Sequence, residues 1–184
     1  MMDKKYKLLQ DDTETIGGTT VYRIQALRDV GNIKAGDLGG YIQSEDNLSH
    51  DGDAWVYGTA WVYGNAWVYG NARVYDDARV YGTARVYGTA LIRSDDDYIV
   101  LNGLGSANRT TTIMRSQNGG LLVSCGCFRG TLEDFGAKVK QTHGDNKYAK
   151  EYELCIELAK VHFGVQKLPV EGGASDEHSE RNIY

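Results

Sequence analysis

Residues 54–89 repeat one six-residue phrase six times: AWVYGT, AWVYGN, AWVYGN, ARVYDD, ARVYGT, ARVYGT. No other feature of the chain constrains its folding as strongly. Within each unit the first four residues alternate small, large, aliphatic and aromatic, as a strand does when it buries one face. Ala54 and Val56 are therefore expected to point inward, and Trp55 and Tyr57 outward, with Gly58 and Thr59 turning the corner. Six is an even number, so every corner restores the same inward parity. Val56, Val62, Val68, Val74, Val80 and Val86 can then line one interior. Asp76 replaces the corner glycine once, and Asp is among the few side chains that tolerate a left-handed corner.

This pattern resembles the hexapeptide-repeat family of left-handed parallel β-helices, in which three units close one lap of 18 residues. The resemblance implies that residues 18 apart lie about 4.8 Å from one another, the usual inter-strand spacing. On that geometry the change from Trp to Arg at the fourth unit acquires a meaning. Trp55 meets Arg73, Trp61 meets Arg79 and Trp67 meets Arg85, each an indole against a guanidinium. Tyr57 with Tyr75, Tyr63 with Tyr81 and Tyr69 with Tyr87 form ladders beside them.

The repeat frays on both sides. Upstream, Ile42 and Leu48 keep the phase of the small residue and Gly52 that of the corner; downstream, Ile92 holds the phase until SDDD ends it. So few laps need covered ends. TTVYRIQALRDV, after Gly17 and Gly18, is expected to form a hairpin with KYKLL and close the first end. From Tyr98 the texture changes. YIVLNGLG, RTTTIMR and GGLLVSC are three short β-like runs, and two helices should follow. Thr131 is the expected N-cap of the first and Asp145 or Asn146 of the second, whose Ala149, Tyr152, Ile156, Ala159 and Phe163 recur at helical spacing before Gly164.

The expected fold is thus mainly β: a short left-handed parallel β-helix over 36–97, capped by an N-terminal hairpin in 1–35, followed by an α+β module over 98–164 and a polar, flexible tail over 165–184.

Composition bounds the function. The 184 residues carry 25 acidic against 20 basic side chains, a net charge of -5, which argues against a general binder of nucleic acid or acidic lipid. No apolar run approaches the roughly 18 residues needed to span a bilayer, and Met1–Gln10 lacks the character of a secretory signal, so a cytoplasmic protein is expected. Cys125, Cys127 and Cys155 fit reduced thiols, with Cys-Gly-Cys placing the first two on one strand face as small apolar groups.

A wider resemblance covers most of the chain. The succession DLGGYIQSEDNLS, hexads, GSANRTTTIMR, VSCGCFRGTLEDF and THGDNKYAKEYELCIELAK is similar to a composite family common in bacteriophage and prophage genomes, whose members are labelled transferase-like from the hexads alone. It implies a viral protein acting in the cytoplasm of a bacterial host.

Three kinds of site are open. Acyl transfer, the activity of many hexapeptide-repeat proteins, needs an exposed His beside a groove, yet residues 54–89 hold no His and no inserted loop, while His50 falls in the inward phase or at the cap. A Cys–His nucleophilic pair, or a metal on Cys125, Cys127 and His143, lacks a charged neighbour in the first case and a common ligand spacing in the second. GLGSANRTTT remains: amides freed by Gly103 and Gly105, with Asn108, Arg109, Thr110, Thr111 and Thr112, can cradle a phosphate, and Arg115 and Lys147 can add charge. An ordinary glycine hairpin followed by a Thr-rich strand is the alternative. The function expected is that of a non-enzymatic phage accessory protein without a cofactor, which counters host defence by sequestering a small phosphorylated, nucleotide-type signal or by blocking a host protein. An acyltransferase and a structural phage component are the alternatives. A homo-oligomer, as a trimer among other forms, is expected by analogy with related β-helices.

Overall fold

The computed structural model describes residues 4–165. The tail assigned to 165–184 therefore lies outside the described residues, Val165 excepted. The chain opens with a long antiparallel hairpin, β1 (Tyr6–Ile16) and β2 (Thr19–Ala26), to which β3 (Leu38–Ile42) adds antiparallel. Seven two-residue strands follow: β4 (Trp55–Val56), β5 (Trp61–Val62), β6 (Trp67–Val68), β7 (Arg73–Val74), β8 (Arg79–Val80), β9 (Arg85–Val86) and β10 (Leu91–Ile92). Four antiparallel strands come next, β11 (Tyr98–Leu104), β12 (Arg109–Arg115), β13 (Leu121–Cys125) and β14 (Phe128–Thr131), and then the helices α1 (Leu132–His143) and α2 (Lys147–Phe163).

These strands make four separate sheets, in the orders β1-β2-β3-β5-β8, β10-β7-β4, β6-β9 and β11-β12-β13-β14. That arrangement overturns the expected left-handed parallel β-helix: the sheets mix parallel with antiparallel pairing, and with two helices the chain is α+β. The reason is visible in strand length. Each hexad offers only two residues to a ladder, whereas the long strands at either side pair through hairpins, and one hexad sheet is continued by the antiparallel β1-β2-β3 unit.

Within the hexads the pairing is parallel at an offset of 18, Trp55 with Arg73, Trp61 with Arg79 and Trp67 with Arg85. The offset changes upstream. Ile42 pairs with Val62, and Leu48 bridges to Val68, an offset of 20 residues. Both side chains thus occupy the valine position, not the small-residue position expected from counting. The two extra residues lie between Leu48 and Trp55, since the offset is 20 at both Ile42 and Leu48 and 18 from Trp55 onward; before them a 3-10 turn, Glu45–Asn47, buries Asn47, which donates to the carbonyls of Gly64 and Ala66 at 3.0 and 2.9 Å. Side-chain amide has replaced backbone there.

Every hexad Ala and Val is buried, forming a column from Leu48 to Ile92. The outward positions are less uniform. Arg79 lies over Trp61 at 5.2 Å and Arg85 over Trp67 at 5.8 Å, and the three tyrosine pairs stack at 4.1, 5.4 and 5.8 Å. Trp55, expected outside, is wholly buried, because Tyr6 of the N-terminal hairpin packs edge-on against it at 6.3 Å. The hairpin turns this outward position into core.

The four-stranded sheet is buried on both faces. Val100, Met114 and Leu122 pack against the repeat; Ile113 and Val123 pack against the helices. Adjacent residues of β12, Ile113 and Met114, therefore belong to different cores, as strand alternation requires. Thr131 caps α1 in a reciprocal arrangement with Asp134, and Asn146 caps α2, which ends at Gly164 in the left-handed conformation.

Candidate anion cleft

The register of the second antiparallel sheet assembles the site. Thr112 pairs with Ser124, and Ser124 with Arg129, so the three stand in one row across β12, β13 and β14. Thr112 accepts a hydrogen bond from the amide of Arg85 at 3.1 Å, which stitches this row to the last hexad. Where sheet and repeat meet, a cleft of about 430 Å³ opens, lined by Arg85, Arg109 and Arg129 with Thr83, Thr110 and Ser124. No carboxylate lines it.

Each guanidinium reaches the cleft differently. Arg85 donates Nη1 to the carbonyl of Asn65 at 3.0 Å, which leaves the rest of its fork directed elsewhere. Arg129 spans the rings of Tyr69 and Tyr87 at 5.9 and 5.4 Å and donates to the carbonyls of Gly126 and Phe128. Arg109 is exposed and passes close over Gly126, where a Cβ would collide with it; among the described residues no hydrogen bond or ion pair engages its guanidinium. Gly126 also holds φ at +57°, so the bend between β13 and β14 needs glycine on both counts.

Of the seven residues singled out in the sequence, Arg109 and Thr110 line this cleft. The others are placed elsewhere. Thr111 and Thr112 are buried, the former donating to the Cys125 thiol at 3.2 Å. Asn108 occupies the hairpin turn at φ +47°. Arg115 pairs with Asp97 at 3.0 Å and lies over Phe163, and Lys147 lies over the Tyr148 ring at the start of α2. Arg85, Arg129 and Ser124 were not anticipated as site residues. In the sequence Arg85 reads as the partner of Trp67, and nothing local in FRGT marks Arg129; only strand register brings it beside Ser124.

The thiols do not form a site with His143. Cys125 is buried and donates weakly to the Tyr152 hydroxyl at 3.8 Å, Cys155 is buried on α2, and Cys127 is exposed. Cys-Gly-Cys therefore does not share one strand face as expected: β13 ends at Cys125 and Gly126 bends the chain away. His143 instead packs against the Tyr148 and Tyr152 rings. Among the described residues no group of three or more His, Cys, Asp and Glu could hold a metal ion.

A larger groove of about 860 Å³ adjoins the cleft and shares Thr83 and Arg85 with it. Its walls include Trp67 and Asn65 in the repeat and Gln43, Asp46 and His50 upstream. His50 stacks on Tyr6 at 4.3 Å, accepts the amide of Lys5 at Nδ1 and presents Nε2 to Glu45 at 3.5 Å. It lies at the margin of the groove, not in the interior valine column, because the offset of 20 carries this segment out of hexad phase. No helix among the described residues is long and apolar enough to cross a membrane.

A scan against protein-family models finds no match, and a search of curated proteins finds none either.

Proposed function

We propose that the chain is a non-enzymatic accessory protein that sequesters a small phosphorylated compound in the Arg85–Arg109–Arg129 cleft, in keeping with a viral protein that captures a signal in its bacterial host. One observation carries this reading: three guanidiniums converge on a cleft whose lining contains no carboxylate. Guanidiniums match phosphate oxygens in geometry as well as charge, and Arg109 retains donors that no protein group takes up among the described residues. Ser124 adds a hydroxyl donor at the wall, while the Thr110 hydroxyl donates to Asn102 Oδ1 at 2.7 Å. Capture without turnover is supported by the chemistry of that lining, which offers neither imidazole, thiol nor carboxylate to move a proton. A chain with net charge -5 gains such a site only by local concentration of arginine, which favours a small anion over a long polyanion.

Calorimetric titration with inorganic tripolyphosphate tests this. Saturable binding is expected, weakened by added salt, and Arg109→Ala should reduce affinity at least about tenfold, the scale of a lost charge-assisted hydrogen bond. Heat no greater than that of dilution at millimolar tripolyphosphate would remove the reading.

A further inference from the structure

The cleft does not end at its arginines. Arg85 and Thr83 also line the 860 Å³ groove, so the two spaces adjoin at these side chains. Along them the chemistry changes in order. At one end stand the three guanidiniums. One inter-strand step from Arg85, about 4.8 Å, comes Trp67, half-buried, with one face of its indole on Tyr69 at 4.1 Å. On the side of Trp67 opposite Arg85 the bridge of Leu48 to Val68 places the Glu45–Asn47 turn with the exposed Asp46 carboxylate, and exposed Asn65 and Gln43 line the same groove.

A phosphate alone uses only the first of these zones. The acidic far end would repel it, while the indole offers it nothing. A ligand that uses all three is anionic at one end, flat and aromatic in the middle, and a hydrogen-bond donor at the other. We infer that the ligand class is a nucleoside phosphate, with its phosphates held by Arg85, Arg109 and Arg129, its base against the Trp67 indole, and an exocyclic amino group directed to Asp46 and its neighbours. This rests on the anion reading above and adds to it the identity of the organic part. Arg85 occupies the hinge between the two zones, because Nη1 is tied to Asn65 while its guanidinium also lies over Trp67 at 5.8 Å. Ligation there orders phosphate and base relative to each other.

The experiment compares ATP with tripolyphosphate, which carries the same number of phosphates and no base. On the full chain ATP should bind at least about fivefold more tightly, the lower end of what one base stacked on an aromatic side chain contributes. Trp67→Leu should bring ATP down to the affinity of tripolyphosphate and leave tripolyphosphate unchanged; Trp67→Phe should restore most of the difference. ATP binding no more tightly than tripolyphosphate, or Trp67→Leu weakening both alike, would overturn the inference while leaving the anion reading intact. Absence of tripolyphosphate binding would end both. If Trp67→Leu does not fold, indole emission of the unaltered protein decides the matter: quenching by ATP but not by tripolyphosphate is expected, and equal response to both defeats the proposal.

Discussion

Lys5 shows how far a single position can depart from its usual setting. Its side chain is fully buried at the N-terminal end of the repeat, donating to the carbonyls of Ala54 at 2.8 Å and Gly52 at 3.4 Å. Burial pushes its ammonium down to about 8, and the nearby Arg28 charge acts in the same direction, partly offset by Asp53 and Asp51. An unfolded Lys keeps its proton to about 10.5, so between the two values the unfolded chain binds more protons and this group makes stability rise with pH. Cys155, pushed by burial up to about 12 from 9.0, works the opposite way above pH 9. The difference in Tm between the unaltered protein and Lys5→Met isolates the lysine. That difference should move in favour of the unaltered protein from pH 8 to pH 10; a constant difference would show that Lys5 titrates normally. Gly40 makes a second residue-scale case. Its backbone is extended, but a Cβ there would lie 2.5 Å from the Ala60 carbonyl and 2.7 Å from a Val56 methyl, so Gly40→Ala should cost about 1–3 kcal/mol in chemical denaturation.

Among elements, the helices are set by their termini and the hexad strands by their neighbours. Thr131 and Asp134 satisfy each other's backbone amides at the start of α1, with Thr131 Oγ1 accepting from Asp134 N at 3.1 Å. Thr131→Ala should therefore lower stability by about 1 kcal/mol, read as a shift in denaturation midpoint without change in slope. Two-residue strands stop at their left-handed corners, such as Gly58 and Asp76, but have no hydrogen-bonding caps of their own. What holds them is the ladder one lap away together with the stacked outward side chains, so Arg79→Ala, which removes the guanidinium over Trp61, should cost about 0.5–1 kcal/mol at that exposed site. The first lap shows the limit of counting by sixes. Ile42 and Leu48 fit the small-residue phase on paper, yet they pair as valines do, because the polar segment between Leu48 and Trp55 holds two residues more than a hexad corner.

On the scale of the whole molecule, the β11–β14 sheet joins two cores that would each be incomplete alone. Met114 closes the end of the repeat column and Ile113, its neighbour, roofs the helices. All three tryptophans lie in the repeat and both α-helices lie beyond the sheet, so two spectroscopic probes report on opposite sides of it. Indole emission and the helical circular dichroism signal should lose native character at the same temperature, since neither core survives exposure of the shared sheet. Separate transitions would mean that the sheet belongs thermodynamically to one side. The same junction explains why the cleft exists. Arg85 comes from the repeat, Arg109 and Arg129 from the sheet, and the hydrogen bond between the Arg85 amide and Thr112 fixes their separation.

By itself the sequence determined what period and parity can express: that the hexad Ala and Val positions are interior, that the first helix starts after Thr131, and that the second starts after Asp145 or Asn146 and stops at Gly164. Those features are carried by neighbours along the chain or by an exact repeat, so local sterics and alternation suffice. Only tertiary structure decided that the sheets are four and mixed, that Trp55 is core beneath Tyr6, that the first lap is longer, and that Arg129 stands beside Arg85 and Arg109. Each of these depends on which distant strand lies alongside. That choice is made by burial of whole faces against one another, and no window of adjacent residues contains it.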